Sequence, residues 1–349
     1  MAHATTASFV CELPLWVTPA DERELLIRLE CARMIYNACL GASLGRLAQL
    51  RESRAYREAC QLPKGVRHSE AARNRAEAFK RANEQVGFRE YDLHAYAQQF
   101  GHAWVGERLD SLTIQKVATR AFQAVQQYAF GKRGKPRFKG KGWYDSVEGK
   151  TNSSGILWRE DAVRWLGLEL PAILPPDDQV IEHGLTSRVK FVRLVRRKLN
   201  QRNHFYAQLI CEGQPYRKEK NQPGQGVVGL DIGRSTIAIV SQRSATLERF
   251  CAELEPQQKQ IRKLQRKMDR QRWAGNPDHY NADGTCKPGE KEWHFSQRYV
   301  STRAQLAELH RKQAAHRKSL HGHQVRGRIY GWCYRWRNEP EKSNETSEA

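Results

Sequence analysis

The sequence of 349 residues has no run approaching the roughly 18 consecutive apolar residues that a membrane-spanning helix requires. Its first ten residues have neither a basic head nor a following apolar core, so no secretory leader is expected and the chain reads as cytoplasmic. None of the eight cysteines, at positions 11, 31, 39, 60, 211, 251, 286 and 333, forms a Cys-x-x-Cys pair. A zinc ribbon and a disulfide scaffold are therefore not expected, and free, mostly buried thiols are. Acids are in short supply: 38 Asp and Glu face 59 Lys and Arg, for a net charge of +21. That excess repels itself unless a polyanion neutralises it. Internal repeats and low-complexity tracts are also missing. What is present, 39% hydrophobic and 9% aromatic residues, suffices for packed cores and excludes global disorder.

Residues 8–17 mix apolar and polar types at roughly strand period. Thr18, Pro19 and Asp21 then supply a cap hydroxyl, a proline for the first helical position and a carboxylate three residues after the cap. Leu25, Leu29, Ala32, Tyr36 and Leu40 recur at helical steps, predicting one helix to about residue 50. Residues 51–99 are charged and helix-prone, with Gly65 and Gly87 as breaks, and hold too few apolar groups for a core of their own. A second helix over 110–130 carries Ile114, Val117, Ala121, Val125 and Tyr128 behind an aspartate cap, so residues 20–130 read as a helical bundle. From 131 to about 213 the texture becomes β-rich and predicts a small barrel or curved sheet, ending at a linker over 221–226.

Three basic clusters stand out as phosphate-tracking candidates. The first packs Lys132, Arg133, Lys135, Arg137, Lys139 and Lys141 around Phe138, with no acid among them. The second, over residues 188–202, includes Arg193, Arg196, Arg197 and Lys198. The third, over 259–272, includes Arg262, Lys263, Arg266, Lys267 and Arg270, with Ile261, Leu264 and Met268 on one helical face. Phe138, Trp143, Tyr144, Trp158 and Trp165 either stack on bases or fill a core, and core packing is the commoner role.

The run from Val227 to Val240 reads as two apolar strands around a tight turn, with Asp231 as its one buried-looking charge. A carboxylate in that setting needs a cation, a metal or hydrogen-bond donors. Such a hairpin opens RNase H-like nucleases, where the acid holds divalent metal. It also opens the phosphate-binding loop of actin-like ATPases, with Gly233 and Ser235 on the phosphate. Those folds need a second Asp-Gly-Gly loop, and Asp283-Gly284 reads as a turn instead. A purely structural turn aspartate is the third possibility.

Taken in order, Ala32-Arg-Met-Ile-Tyr-Asn-Ala-Cys-Leu40, Lys135-Pro-Arg-Phe-Lys139, a β block and Gly229-Leu-Asp-Ile-Gly233 resemble the TnpB (OrfB) proteins of insertion sequences, relatives of type V CRISPR effectors. The resemblance spans roughly residues 8–320. It implies an α+β fold in which a wedge-like β-barrel, residues 1–19 and 131–222, is split by an inserted helical recognition domain, residues 20–130. An incomplete RuvC-type, RNase H-like α/β domain follows at 226–322, and residues 323–349 form an atypical tail, expected to be disordered. It further implies guide RNA and double-stranded target DNA as partners, with Asp231 at the first catalytic, metal-binding position and Mg²⁺ as the ion of the complete site.

Two acids that such a site requires are not found. After residue 241 no carboxylate follows an apolar strand: Glu253, Glu255, Asp269, Glu290, Glu292 and Glu308 lie in polar or helical settings. One carboxylate does not clamp two metals, so the chain reads as truncated near residue 320 and inactive as a nuclease. A nuclease-inactive RNA-guided DNA-binding protein and a generic basic RNA-binding protein are the alternatives. A metal cluster of His310, His316, His321 and His323 is disfavoured by the surrounding cations.

Overall fold

A computed structural model describes residues 6–218, 227–233, 236–241, 245–249 and 257–324. The chain forms two compact units, Met1–Lys198 with Arg202–Tyr216, and Leu199–Gln201 with Arg217–Ala349. Both mix helices with small antiparallel sheets, an α+β arrangement.

The first unit begins with β1, Ser8–Pro14, followed by α1, Pro19–Glu52. The expected capping box is present: the Thr18 hydroxyl accepts from the Asp21 N–H at 3.2 Å, and the Asp21 carboxylate accepts from the Thr18 N–H at 3.2 Å. Leu25, Leu29, Ala32, Tyr36 and Leu40 are all buried, as helical periodicity demands. Helices α2, Arg54–Gln61, α3, Glu70–Gln85, and α4, Glu90–Gln98, follow. The expected breaks at Gly65 and Gly87 are left-handed, with φ of 61° and 65°. Residues 51–99 contribute few core groups, among them Ala59, Ala82 and Leu93. Helix α5, Ser111–Ala129, lays Ile114, Val117, Ala121 and Val125 along α1. Its N-cap, Asp110, accepts from the Thr113 N–H at 2.9 Å and also from the Trp165 indole N–H at 2.8 Å, which ties the helix to the strands that come later.

Those strands are β2, Ser146–Glu148, β3, Leu157–Arg159, β4, Ala162–Trp165, β5, Leu168–Pro171, then, after helix α6, Gln179–Thr186, β6, Val189–Leu199, and β7, Arg202–Glu212. The β-rich reading of residues 131–213 does not include α6. One sheet has the order β1-β7-β6-β2 and a second the order β3-β4-β5. A bridge between Leu15 and Ala172 joins the end of β1 to the end of β5. The β6–β7 hairpin turns through Asn200 and Gln201, both at positive φ, the geometry that matches the twist of paired strands. Leu13, Val192, Leu194, Phe205, Ala207 and Leu209 face inward and share one core with α1 and α5.

In the second unit β8, Gly229–Ile232, β9, Thr236–Val240, and β10, Ala245–Arg249, form a three-stranded sheet with β9 in the middle. Helices α7, Gln258–Gly275, and α8, Gln297–Gln324, pack on each other with Ile261 and Tyr299 buried. The α8 helix continues to Gln324, past the boundary expected for the tail. Residues 325–349, and with them Cys333, lie outside the described residues. Asp283-Gly284 is a turn, with Gly284 at φ 81° and the Asp283 carboxylate accepting from the Thr285 N–H at 2.8 Å. Cys11, Cys31, Cys39 and Cys211 are buried free thiols, while Cys60 and Cys286 are exposed. Among the described residues no helix is long and apolar enough to cross a membrane.

Candidate nucleic-acid interface

The first basic cluster begins where α5 stops. Gly131 takes φ 68° just past the Phe130 cap and returns its N–H to the Tyr128 carbonyl at 3.0 Å, an ordinary left-handed helix ending. The chain then crosses the surface of α1. There the Asn37 side chain accepts from the Lys139 N–H at 2.8 Å and donates to the Lys139 carbonyl at 2.9 Å. Arg33 adds a second donor to that carbonyl at 2.8 Å while pairing with Glu30 at 2.7 Å. Hydrogen bonding from Arg33 holds the Glu30 carboxyl below its usual range, and the Gly142 backbone and the Lys141 charge push in the same direction.

Phe138 lies over Gly41 of α1: a Cβ there would sit 3.7 Å from the ring. Residues 140–143 form a turn with Gly142 at φ 73° and the Trp143 N–H on the Gly140 carbonyl at 3.1 Å. Tyr144 then enters the core, 4% exposed, with its ring 5.5 Å from that of Tyr36 and the Arg120 guanidinium 5.0 Å from its centre. Three anchors, the Asn37 clamp, the turn and Tyr144, thus hold a segment whose other side chains point to water. Lys132, Arg133, Lys135, Arg137, Lys139 and Lys141 are all exposed. None of the six has a side-chain hydrogen bond or ion pair among the described residues. Phe138 and Trp143 are 60% and 75% exposed.

The second cluster behaves differently. Across the outer face of the first sheet, Arg193 donates to Glu148 at 2.9 Å and to Gln208 at 3.3 Å. Gln208 donates to Glu12 at 2.8 Å, and Glu12 accepts both Arg197 amines, at 2.7 and 2.5 Å. Arg196 bonds Asp145 through Nε at 2.9 Å. Three of the four cations named here therefore spend their charge on carboxylates, Glu148 of β2, Glu12 of β1 and Asp145 just before β2, and Lys198 is left exposed without an ion pair among the described residues. Lys116 also reaches Glu148, at 3.0 Å. Burial penalises the ionised Glu148 carboxyl, but Lys116 and Arg193 outweigh that cost and hold it below the usual carboxylate range.

In the third cluster Arg262, Lys263, Arg266, Lys267 and Arg270 are exposed on α7 and make no ion pair among the described residues; the neighbouring Arg272 pairs with Asp269 at 3.3 Å. Of the five aromatics, Tyr144, Trp158 and Trp165 fill the core, which leaves Phe138 and Trp143.

Asp231 is corrected in one respect. It lies on β8 opposite Ala238, at the edge of the described sheet, and its side chain is exposed. Burial was expected from the apolar run, but β8 is an edge strand of the described sheet, whose described buried side chains, Ile237 and Ile239, are on the central β9. Arg234, Ser235, Glu253 and Glu255 lie outside the described residues. Among the described residues no three His, Cys, Asp or Glu side chains gather into a metal-holding group. Asp231 alone, among the described residues, does not supply the paired carboxylates that two-metal chemistry requires.

Neither a protein-family description nor a curated protein matches the chain. Solved structures include weak structural neighbours, two of which are Cas12f complexes. One, a CRISPR-Cas12f ternary complex, has a TM-score of 0.31 at 10% identity, over 76% of this chain and 54% of that one. The other, a Cas12f1-sgRNA-target DNA complex, has a TM-score of 0.30 at 8% identity, over 90% of this chain and 76% of that one. The chain thus spans about half the length of the first. At such scores the likeness decides neither fold nor function.

Proposed function

We propose that this chain binds guide RNA and target DNA as a TnpB-like, RNA-guided DNA-binding protein, and that residues 131–143 on α1 are its principal RNA contact. The observation that carries the reading is the Asn37–Lys139 clamp. Asn37 belongs to the first segment of the resemblance and Lys139 to the second, and 102 residues of chain separate them. Unpaired cations on a rigid backbone are suited to phosphate, because little ordering remains to be done when the ligand arrives.

On this reading the two sheets of the first unit are the wedge-like β-barrel and helices α1 to α5 its inserted recognition domain. The three strands around Asp231 are the opening of a RuvC-type domain, and α7 a second phosphate-tracking surface. The reading assigns binding and leaves cleavage out of it, since among the described residues Asp231 belongs to no metal-holding group.

The test is equilibrium binding of the full chain to an RNA transcribed from beside its own gene, measured against salt. Replacing Arg133, Arg137 and Lys139 together by glutamate should weaken binding and flatten the plot of log K against log salt by about two units, at roughly 0.7 per single-strand phosphate contact. Unchanged affinity and slope would remove the segment from the interface. Guide-dependent capture of a matching DNA duplex separates the proposed function from generic RNA binding, which needs no guide.

A further inference from the structure

Phe138 and Trp143 are large apolar rings held in water by a structure that had cheaper options. The core of the first unit accepts Tyr144, Trp158 and Trp165, yet these two remain 60% and 75% exposed. In sequence Phe138 sits among cations, glycines and one proline, Lys135 to Gly142, and Trp143 follows directly on that run. Both are also fixed. Phe138 is backed by α1 at Gly41 and stands next to the clamped Lys139. Trp143 closes the 140–143 turn, its ring 3.5 Å from where a Cβ of Gly140 would sit, and stands next to the buried Tyr144. Around them the surface is open, since a Cβ built at Gly131, Gly134, Gly142 or Gly45 meets nothing within 4 Å.

We infer that Phe138 and Trp143 form a stacking platform for unpaired nucleotides, so that this segment takes single-stranded RNA or DNA in preference to a duplex. The inference rests on the proposed nucleic-acid binding and narrows its substrate. An aromatic ring reaches the face of a base only where no neighbouring base covers it; within a duplex each face is covered, and prising a step apart works against stacking and pairing. Every base has a π-face, so such a platform is sequence-tolerant, and the interleaved cations hold the backbone while the rings hold the bases. A protein partner would fit an uncharged apolar patch better than two rings separated by Lys139 and Lys141.

The experiment uses the full chain and four labelled probes: an unstructured 20-nucleotide RNA, the same sequence as DNA, and a blunt duplex of each. Phe138→Leu with Trp143→Leu should weaken single-strand binding at least tenfold and change duplex binding less than twofold. Phe138→Tyr with Trp143→Phe, which keeps both rings, should restore it. A loss on both strands is expected, and a loss confined to RNA or to DNA would name the occupant while keeping the platform. An equal loss on strands and duplexes, no loss at all, or failure of the ring-keeping variant to restore binding would overturn the platform. Glutamates at Arg133, Arg137 and Lys139 report on the parent reading separately: if they leave binding to every probe intact, nucleic-acid binding by this segment fails, whatever the aromatic variants do.

Discussion

The amide of Asn37 satisfies both backbone groups of Lys139, N–H and C=O, as a neighbouring strand would. A helix thereby supplies the missing partner to an irregular segment that belongs to no sheet, and the cations on either side are placed without the segment being buried. Asn37→Ala should cost about 1 kcal/mol of stability, since the bonds are exposed and water replaces them. It should weaken RNA binding by about three- to tenfold through lost pre-organisation. Urea unfolding and anisotropy titration on one preparation check both. A stability loss with unchanged affinity would mean that the clamp serves the fold alone.

Glu148 contributes to the acid sensitivity of the first unit. Its folded pKa lies below the ordinary value of 4.5 because Lys116 and Arg193 outweigh burial. The ionised carboxylate is thus favoured in the folded state. Its stabilisation is complete above pH 4.5 and fades as the pH falls from there through the folded value. Glu148→Gln should cost about 2 kcal/mol at pH 7, and the difference from the parent protein should shrink below pH 4.5. Denaturant midpoints at the two pH values are the measurement, and a difference that grows in acid would refute the ion-pair account.

Asp110 joins two parts of the fold through one carboxylate, capping α5 and accepting from the Trp165 indole. Asp110→Ala should cost about 3 kcal/mol, from the lost cap and a buried N–H left without a partner. Asp110→Asn keeps one acceptor oxygen where the two N–H donors use one each, Oδ1 for Thr113 and Oδ2 for Trp165, so it should save one of the two bonds and cost less than alanine does. A loss as large as alanine's in thermal denaturation would show that one acceptor does not suffice.

Asp231→Ala is expected to leave RNA binding unchanged. An exposed edge-strand carboxylate that belongs to no metal-holding group among the described residues repels phosphate weakly. A tenfold loss in a filter-binding titration would mean that this strand forms part of the interface or holds an ion that contacts RNA.

Much of the helical half was legible because its signals are local. Thr18 with Asp21, and Asp110 before an apolar stripe, act within one turn. The α6 helix was missed although Asp178 caps it, accepting from the Val180 N–H at 2.9 Å, because its β-branched Val180 and Ile181 and its Gly184 are poor helix formers inside a block of β-rich texture. The fate of Arg193, Arg196 and Arg197 was not legible. Their carboxylates, at 148, 145 and 12, become neighbours only once β1, β2, β6 and β7 pair in register. Asn37 had one readable signal, a poor helix former in the middle of a strong helix. Its partner, 102 residues on, had none. The expectation that Asp231 is buried failed because apolar flanks in sequence do not say how many strands will cover them.

The pairing of β1 with β7 sets Ser8 opposite Glu212, with the whole helical segment between them. A ribosome adding about 5–20 residues per second leaves the first strand without its partner for roughly 10–40 s. In that interval α1 and α5 have each other, while the inward groups of β1, Cys11 and Leu13, have only the helices to lean on. The first strand made is therefore among the last to be secured, and the order of synthesis gives the helices time to pack before the sheet closes over them.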